Sequence, residues 1–237
     1  MQNSLRFSLF AALLLGLVVR AHSAEYLTSS SVDAVKLLPA PPSADSAETK
    51  AELKLLARLQ KHRTPEEVER CKAEAKLDMS AFRPVFGAWF TAENLPELDK
   101  LFKQIHKESK AATDSAKQHF GRSRPGKLDP DSDPAVAADD EPSYPSGHST
   151  RGIIYAMILS DVCPEKKDAL LERGREIGWD RVIAGVHYPS DVAAGRTLGQ
   201  ALGQVLLANP TFREQLAKVK TEFEKAQFNP AESAVAP

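Results

Sequence analysis

The chain has 237 residues, 31 Lys and Arg against 32 Asp and Glu, and a formal charge of −1. That balance gives no global footprint for nucleic acid, so any anion site must be local. A mean hydropathy of −0.33 with 42% hydrophobic residues excludes a polytopic membrane protein and a collagen-like chain and fits one globular domain.

Residues 1–23 open with Arg6, run through the mostly apolar stretch Phe7 to Val19, and end in small residues around Ala21 and Ser23. This stretch is short of the ~20 apolar residues that span a bilayer, and it reads as a secretory signal peptide. Residues 24–48 form a proline-rich N-terminal arm with Pro39, Pro41 and Pro42, and no stable membrane insertion is expected of the mature part. Asp45 followed by Glu48 has capping-box spacing and predicts a helix running to Leu59. Thr64, Pro65 and Glu67 make a second helix start, with an end expected near Leu77. Phe82, Phe86 and Phe90 recur every four residues, which predicts a short helix with a core stripe.

Asn94, Pro96 and Glu97 announce a longer helix whose Leu98, Leu101, Phe102, Ile105, Ala112 and Ala116 share one face. Residues 152–162 are nearly all apolar, as in a buried strand or helix; length and neighbours favour a central helix. Gly195, Gly199 and Gly203 fall four apart and would let another helix approach closely, while Phe212, Leu216, Val219 and Phe223 form a last stripe before a flexible tail at 229–237. No series of β-branched strands appears. The expected fold is all-α, a single-domain helical bundle around a central helix pair. Cys71 and Cys163 either pair or stay as buried free thiols, and no ligand set for structural zinc can be assembled.

Chemistry concentrates in three clusters. Lys117, His119, Arg122 and Arg124 surround a glycine turn; Tyr144-Pro145-Ser146-Gly147-His148 precedes the apolar helix; Arg181, His187 and Asp191 follow it. Proline and glycine before a helix let backbone amides approach an oxyanion. An Asp four residues after a His, around a start at Pro189, is spaced to fix the imidazole tautomer. Lys117, Arg124 and Arg181 supply charge for phosphoryl oxygens. Together these residues point to phosphoryl transfer without a metal or other cofactor.

The spacings Lys-x6-Arg-Pro at 117–125, Pro-Ser-Gly-His at 145–148 and Arg-x5-His-x3-Asp at 181–191 resemble the phosphatidic acid phosphatase type 2 superfamily. Within it the chain is most similar to the class A bacterial non-specific acid phosphatases, which share an all-helical fold with the vanadium haloperoxidases. The resemblance implies a periplasmic hydrolase of small phosphate monoesters such as nucleotides or sugar phosphates, with residues 49–228 as the phosphatase domain and a homodimer as the expected assembly. His187 would be the nucleophile that becomes phosphohistidine, Asp191 its orienter and His148 the proton donor. Lys117, Arg124, Arg181, Ser146 and the Gly147 amide would hold the phosphate. Tyr144 either touches substrate or packs beside the loop.

One position departs from the family: Asp180 stands where Ser usually precedes the last motif arginine. It is expected to turn toward Arg181 or solvent rather than toward the phosphate. The alternatives to a phosphatase are a vanadate-dependent haloperoxidase and a non-catalytic periplasmic phosphate-binding protein. The acidic stretch 126–143 reads as a solvated connection or a lid over the basic pocket.

Overall fold

Residues 25–228 are described by the computed structural model; the signal peptide expected at 1–23 and the tail expected at 229–237 lie outside the described residues. The arm does not hang free. It turns through α1 (Ala34–Leu37), capped by Asp33, and the backbone N–H groups of Tyr26 and Leu27 donate to the Glu108 carboxylate at 3.2 and 3.0 Å. Leu27 and Leu38 are buried there.

Helix α2 (Ala47–His62) starts one residue later than the capping-box spacing suggests, because Ser46 is the cap and accepts from Thr49 N. Asp45 instead accepts from the Ser43 hydroxyl. Helix α3 (Pro65–Ala73) has the expected reciprocal box between Thr64 and Glu67 but ends before Leu77. Phe82, Phe86 and Phe90 are all buried, as expected of a core stripe, but not on one helix. A 3₁₀ turn (Met79–Phe82) leads into α4 (Arg83–Phe86), and Gly87 at φ +95° ends it, so Phe90 returns from a loop to stack on Phe86 at 4.6 Å. Only glycine adopts that backbone conformation without strain.

Helix α5 (Pro96–Phe120) presents its apolar face inward, and Gly121 in the left-handed region closes it. After the short α6 (Pro125–Leu128) come α7 (Gly147–Val162), a 3₁₀ turn, α8 (Lys167–Ile183), α9 (Pro189–Ala208) and α10 (Pro210–Phe228). No strand occurs among the described residues. The segment 152–162 is therefore helical, and its apolarity on all sides matches a helix covered all round.

At the centre α7 packs against both α8 and α9. A Cβ on Gly195 or Gly199 of α9 would lie 2.5 Å from the carbonyl oxygens of Ser146 or Thr150 on α7. On the other side Gly152 and Gly174 let α7 cross α8, where added Cβ atoms would lie 2.8 and 2.7 Å from the opposing carbonyl oxygens. Phe102 of α5 stacks on Tyr155 of α7 at 4.0 Å.

Substituting Gly195→Ala should therefore destabilise the fold. Helix propensity favours Ala by about 1 kcal/mol, but the new methyl must displace backbone, and overpacking costs about 1–3 kcal/mol. A urea melt should show a lower midpoint with an unchanged slope; a higher midpoint would mean the helices separate freely.

Candidate active site

The turn between α8 and α9 carries His187. Gly185, at φ +79°, reverses the chain after α8, and Tyr188 leads into Pro189 at the first turn of α9. Asp191 then falls in that turn, where its Oδ2 accepts the Tyr188 N–H at 2.9 Å. The same oxygen accepts the Ser143 hydroxyl at 2.5 Å and lies 3.2 Å from His187 Nδ1. Asp191 Oδ1 accepts from Arg122 Nη1 at 2.6 Å. Burial pushes the Asp191 carboxyl up, but bonds from His187 and Ser143 and the Arg122 charge outweigh it and leave it below the usual carboxylate value.

The hydrogen bonds define the His187 tautomer. Arg124 Nη1 lies 3.1 Å from Nε2, and a guanidinium can only donate. Nε2 therefore holds the lone pair, and Nδ1 holds the proton, shared between Asp191 and Ser143 Oγ at 3.3 Å. Burial, assisted by Arg124 and Lys117 and opposed by Asp191, pushes His187 down to about 4. The imidazole is neutral at neutral pH.

His148 sits in the first turn of α7, and its Nε2 donates to the carbonyls of Glu74 and Ala75 at 3.1 and 3.3 Å. Its titrating nitrogen is thus Nδ1. Burial lowers its pKa well below the ordinary histidine value, and the charges of Arg181, Arg151 and His187 add to this. His148, His187, Lys117 and Gly147 line one cavity of about 230 Å³, so the residues of separate motifs do meet.

Around them, Arg124 donates to the carbonyls of Val186 and Glu141, both at 3.0 Å, and its Nη2 reaches Asp139 at 3.2 Å. Lys117 Nζ is 3.4 Å from Glu141 Oε2, and Glu141 also accepts from Lys110 at 2.8 Å. The acidic stretch therefore lays two carboxylates against the basic pocket. Asp139 is 69% exposed and Glu141 46% exposed, so these pairs are weak and easily exchanged for another anion. Arg181 is buried with Nε and Nη1 unpartnered by protein.

Ser146 is buried as the cap of α7, accepting from Ser149 N, and its own N–H donates to Asp191 O at 3.0 Å, which ties the start of α7 to the start of α9. Tyr144 is buried beside the loop: its hydroxyl donates to Pro39 O at 2.7 Å and its ring packs edge-on against Phe120. Asp180 turns to neither Arg181 nor solvent. It is buried and bound in a fork by Arg70 Nε and Nη2 at 2.9 and 2.7 Å, away from the phosphate pocket. His119 is exposed beside Phe120. Both cysteines are buried and free, Cys71 donating to Asp180 O and Cys163 to Glu165.

Sequence reasoning missed Ser143, Glu52 and the role of Arg122. Arg122 is buried between Asp191 and Glu52, bonding Glu52 Oε2 at 2.8 Å and lying 3.9 Å over the Tyr188 ring. The only signal for it was its place in the first cationic cluster.

Known proteins share both the sequence and the fold. The PAP2 superfamily matches residues 109–214. A non-specific acid phosphatase of Providencia stuartii is 34% identical over 206 residues, covering 83% of each chain. One from Salmonella typhimurium is 38% identical over 148 residues, 60% of this chain and 58% of that protein. The helical arrangement is similar to that of the first bacterial vanadium-dependent iodoperoxidase, with a TM-score of 0.54 at 16% identity over 73% of this chain and 52% of that one. With an acid phosphatase aligned along most of its length, the chain belongs to the PAP2 superfamily as a phosphatase of its class A bacterial acid phosphatase branch.

Proposed function

We propose that the enzyme hydrolyses small phosphate monoesters, such as nucleotides or sugar phosphates, in two steps through His187. The observation that carries this reading is the His187 tautomer: Nδ1–H is held by Asp191, and the Nε2 lone pair is beside Arg124 in the cavity shared with His148. In the first step Nε2 attacks phosphorus, a P–N bond forms, and the ester P–O bond breaks as His148 gives its proton to the departing alkoxide. In the second, His148 takes a proton from water, the hydroxide attacks phosphorus, and the P–N bond breaks to release phosphate and His187.

Lys117, Arg124 and Arg181 neutralise the equatorial oxygens through both steps, with the Gly147 amide at the first turn of α7. A cationic clamp of this kind does the charge work that a metal performs elsewhere, so the reaction is written without one. The same reading makes the protein exported, periplasmic and homodimeric. Among the described residues no helix is long and apolar enough to cross a membrane.

The pH profile tests the assignment. Attack needs His187 neutral and His148 protonated. His187 is lowered to about 4, so kcat/KM should rise with pH up to that point. His148 is lowered below 6.5, so in the free enzyme its proton is lost before neutrality, and kcat/KM should then fall tenfold per pH unit. A bound phosphoryl dianion raises His148 again, so the alkaline limb of kcat should lie at higher pH than that of kcat/KM. Saturating chelator should leave turnover intact. After correction for substrate ionisation, an optimum above pH 7 or inactivation by chelator would reject the scheme.

A further inference from the structure

Arg151 lies one turn after His148 on α7, a charged side chain buried in a helix whose interior beyond Ser149 and Thr150 is mostly apolar. Its guanidinium folds back along the helix start: a Cβ on Gly147 would lie 3.1 Å from its Nη1. The side chain is 8% exposed, lines the cavity and has a buried Nε with no hydrogen-bond partner. Among the described residues it forms no ion pair. Other buried arginines are anchored: Arg122 to Asp191 and Glu52, Arg173 to Glu74, Arg124 to Asp139. Arg181 shares the lack of partners for Nε and Nη1, and it has a place in the phosphate clamp, whereas Arg151 has none.

Arg124 and Lys117 act on His187, the nucleophile. Arg151, Lys110 and Lys76 act on His106, which lines the same cavity and is pushed down to about 4 by burial and then by these charges. Arg151 also acts on His148, which protonates the leaving oxygen. The carboxylates facing this space already have partners: Asp114 pairs with Lys110 at 2.6 Å, Glu141 with Lys110 and Lys117, and Asp139 with Arg124. Arg151 is therefore a desolvated cation that lines the cavity with no carboxylate of its own, folded back over the turn of α7 that carries His148.

We propose that Arg151, with Lys76 lining the same cavity, forms a second anion subsite on the leaving-group side, selecting monoesters whose alcohol carries its own phosphate or carboxylate. This rests on the reading of His187 and His148 given above. A charge-assisted bond to a buried guanidinium has its full strength only when an anion answers it. Substrates with neutral alcohols leave it unused.

The test compares kcat/KM for fructose 1,6-bisphosphate and 2-phosphoglycolate with that for phenyl phosphate, in the wild type, Arg151→Met and Lys76→Ala. In Arg151→Met the ratio of either anionic substrate to phenyl phosphate should fall by about ten- to a hundredfold. Lys76 is exposed, so Lys76→Ala keeps the fold and should lower the same ratio by a smaller factor. Of the two arms, the one with the larger fall identifies the anion and its reach. Equal losses on all three substrates would place Arg151 in the clamp on the transferred phosphate and overturn the proposal, as would an unchanged ratio in both variants. Failure of the underlying phosphatase reading looks different: the wild type would hydrolyse none of the three.

Discussion

Replacing His187 with Ala should lower kcat/KM by about 10⁴-fold or more and abolish the phosphorylated intermediate. The size follows from what the side chain supplies. Uncatalysed phosphate monoester hydrolysis is among the slowest reactions known, and a nucleophile held in place splits it into two easier transfers. Without Nε2 there is no P–N bond to form, while Lys117, Arg124 and Arg181 still bind phosphate. Substrate affinity should therefore change far less than turnover. Rapid acid quenching with labelled substrate should trap label on the His187 peptide in the wild type and none in the variant. Label recovered on that peptide in His187→Ala would sink the assignment, and near-normal turnover would do the same.

The fold was legible wherever local spacing decides structure. Thr64-Pro65 and Glu67 gave a helix start that the structure reproduces, because a capping box is satisfied within four residues. Gly195, Gly199 and Gly203 pointed to a close helix approach, which α7 and α9 make. The second close approach, Gly152 on Gly174, was missed, although Gly174 and Gly178 of α8 also fall four apart. The phenylalanine repeat misled, since equal spacing cannot reveal that Gly87 has a positive φ. In the site, the histidines and Asp191 were legible from motif spacing. Ser143, Glu52 and Arg151 were not, because their roles depend on which distant segment packs beside them. Asp180 shows the same limit: its partner Arg70 lies on α3, and nothing near Asp180 in the chain announces it.

Arg122→Met should cost stability and turnover together. Arg122 Nη1 bonds Asp191 at 2.6 Å and Ser190 Oγ at 2.7 Å, and Nη2 bonds Glu52 at 2.8 Å. Glu52 in turn accepts the Ser190 N–H at 2.7 Å, which closes the network onto the first turn of α9. Methionine keeps much of the volume but leaves two buried carboxylates without their shared cation. Breaking a buried pair in this way costs about 3–5 kcal/mol, which for a domain of this size lowers Tm by roughly 6–20 °C. Turnover should fall by about 10- to 100-fold, because Asp191 loses a restraint and aims His187 less well. The pH dependence separates this from simple loss of packing. Asp191 is held below its ordinary pKa, so the stability it contributes is present above that ordinary value and is lost as pH falls through the folded one. The gap in Tm between wild type and Arg122→Met should therefore narrow as Asp191 protonates below about pH 4. A gap that stays constant from pH 7 to pH 3 would show that Arg122 acts through packing over Tyr188, and not by holding the Asp191 carboxylate beside His187.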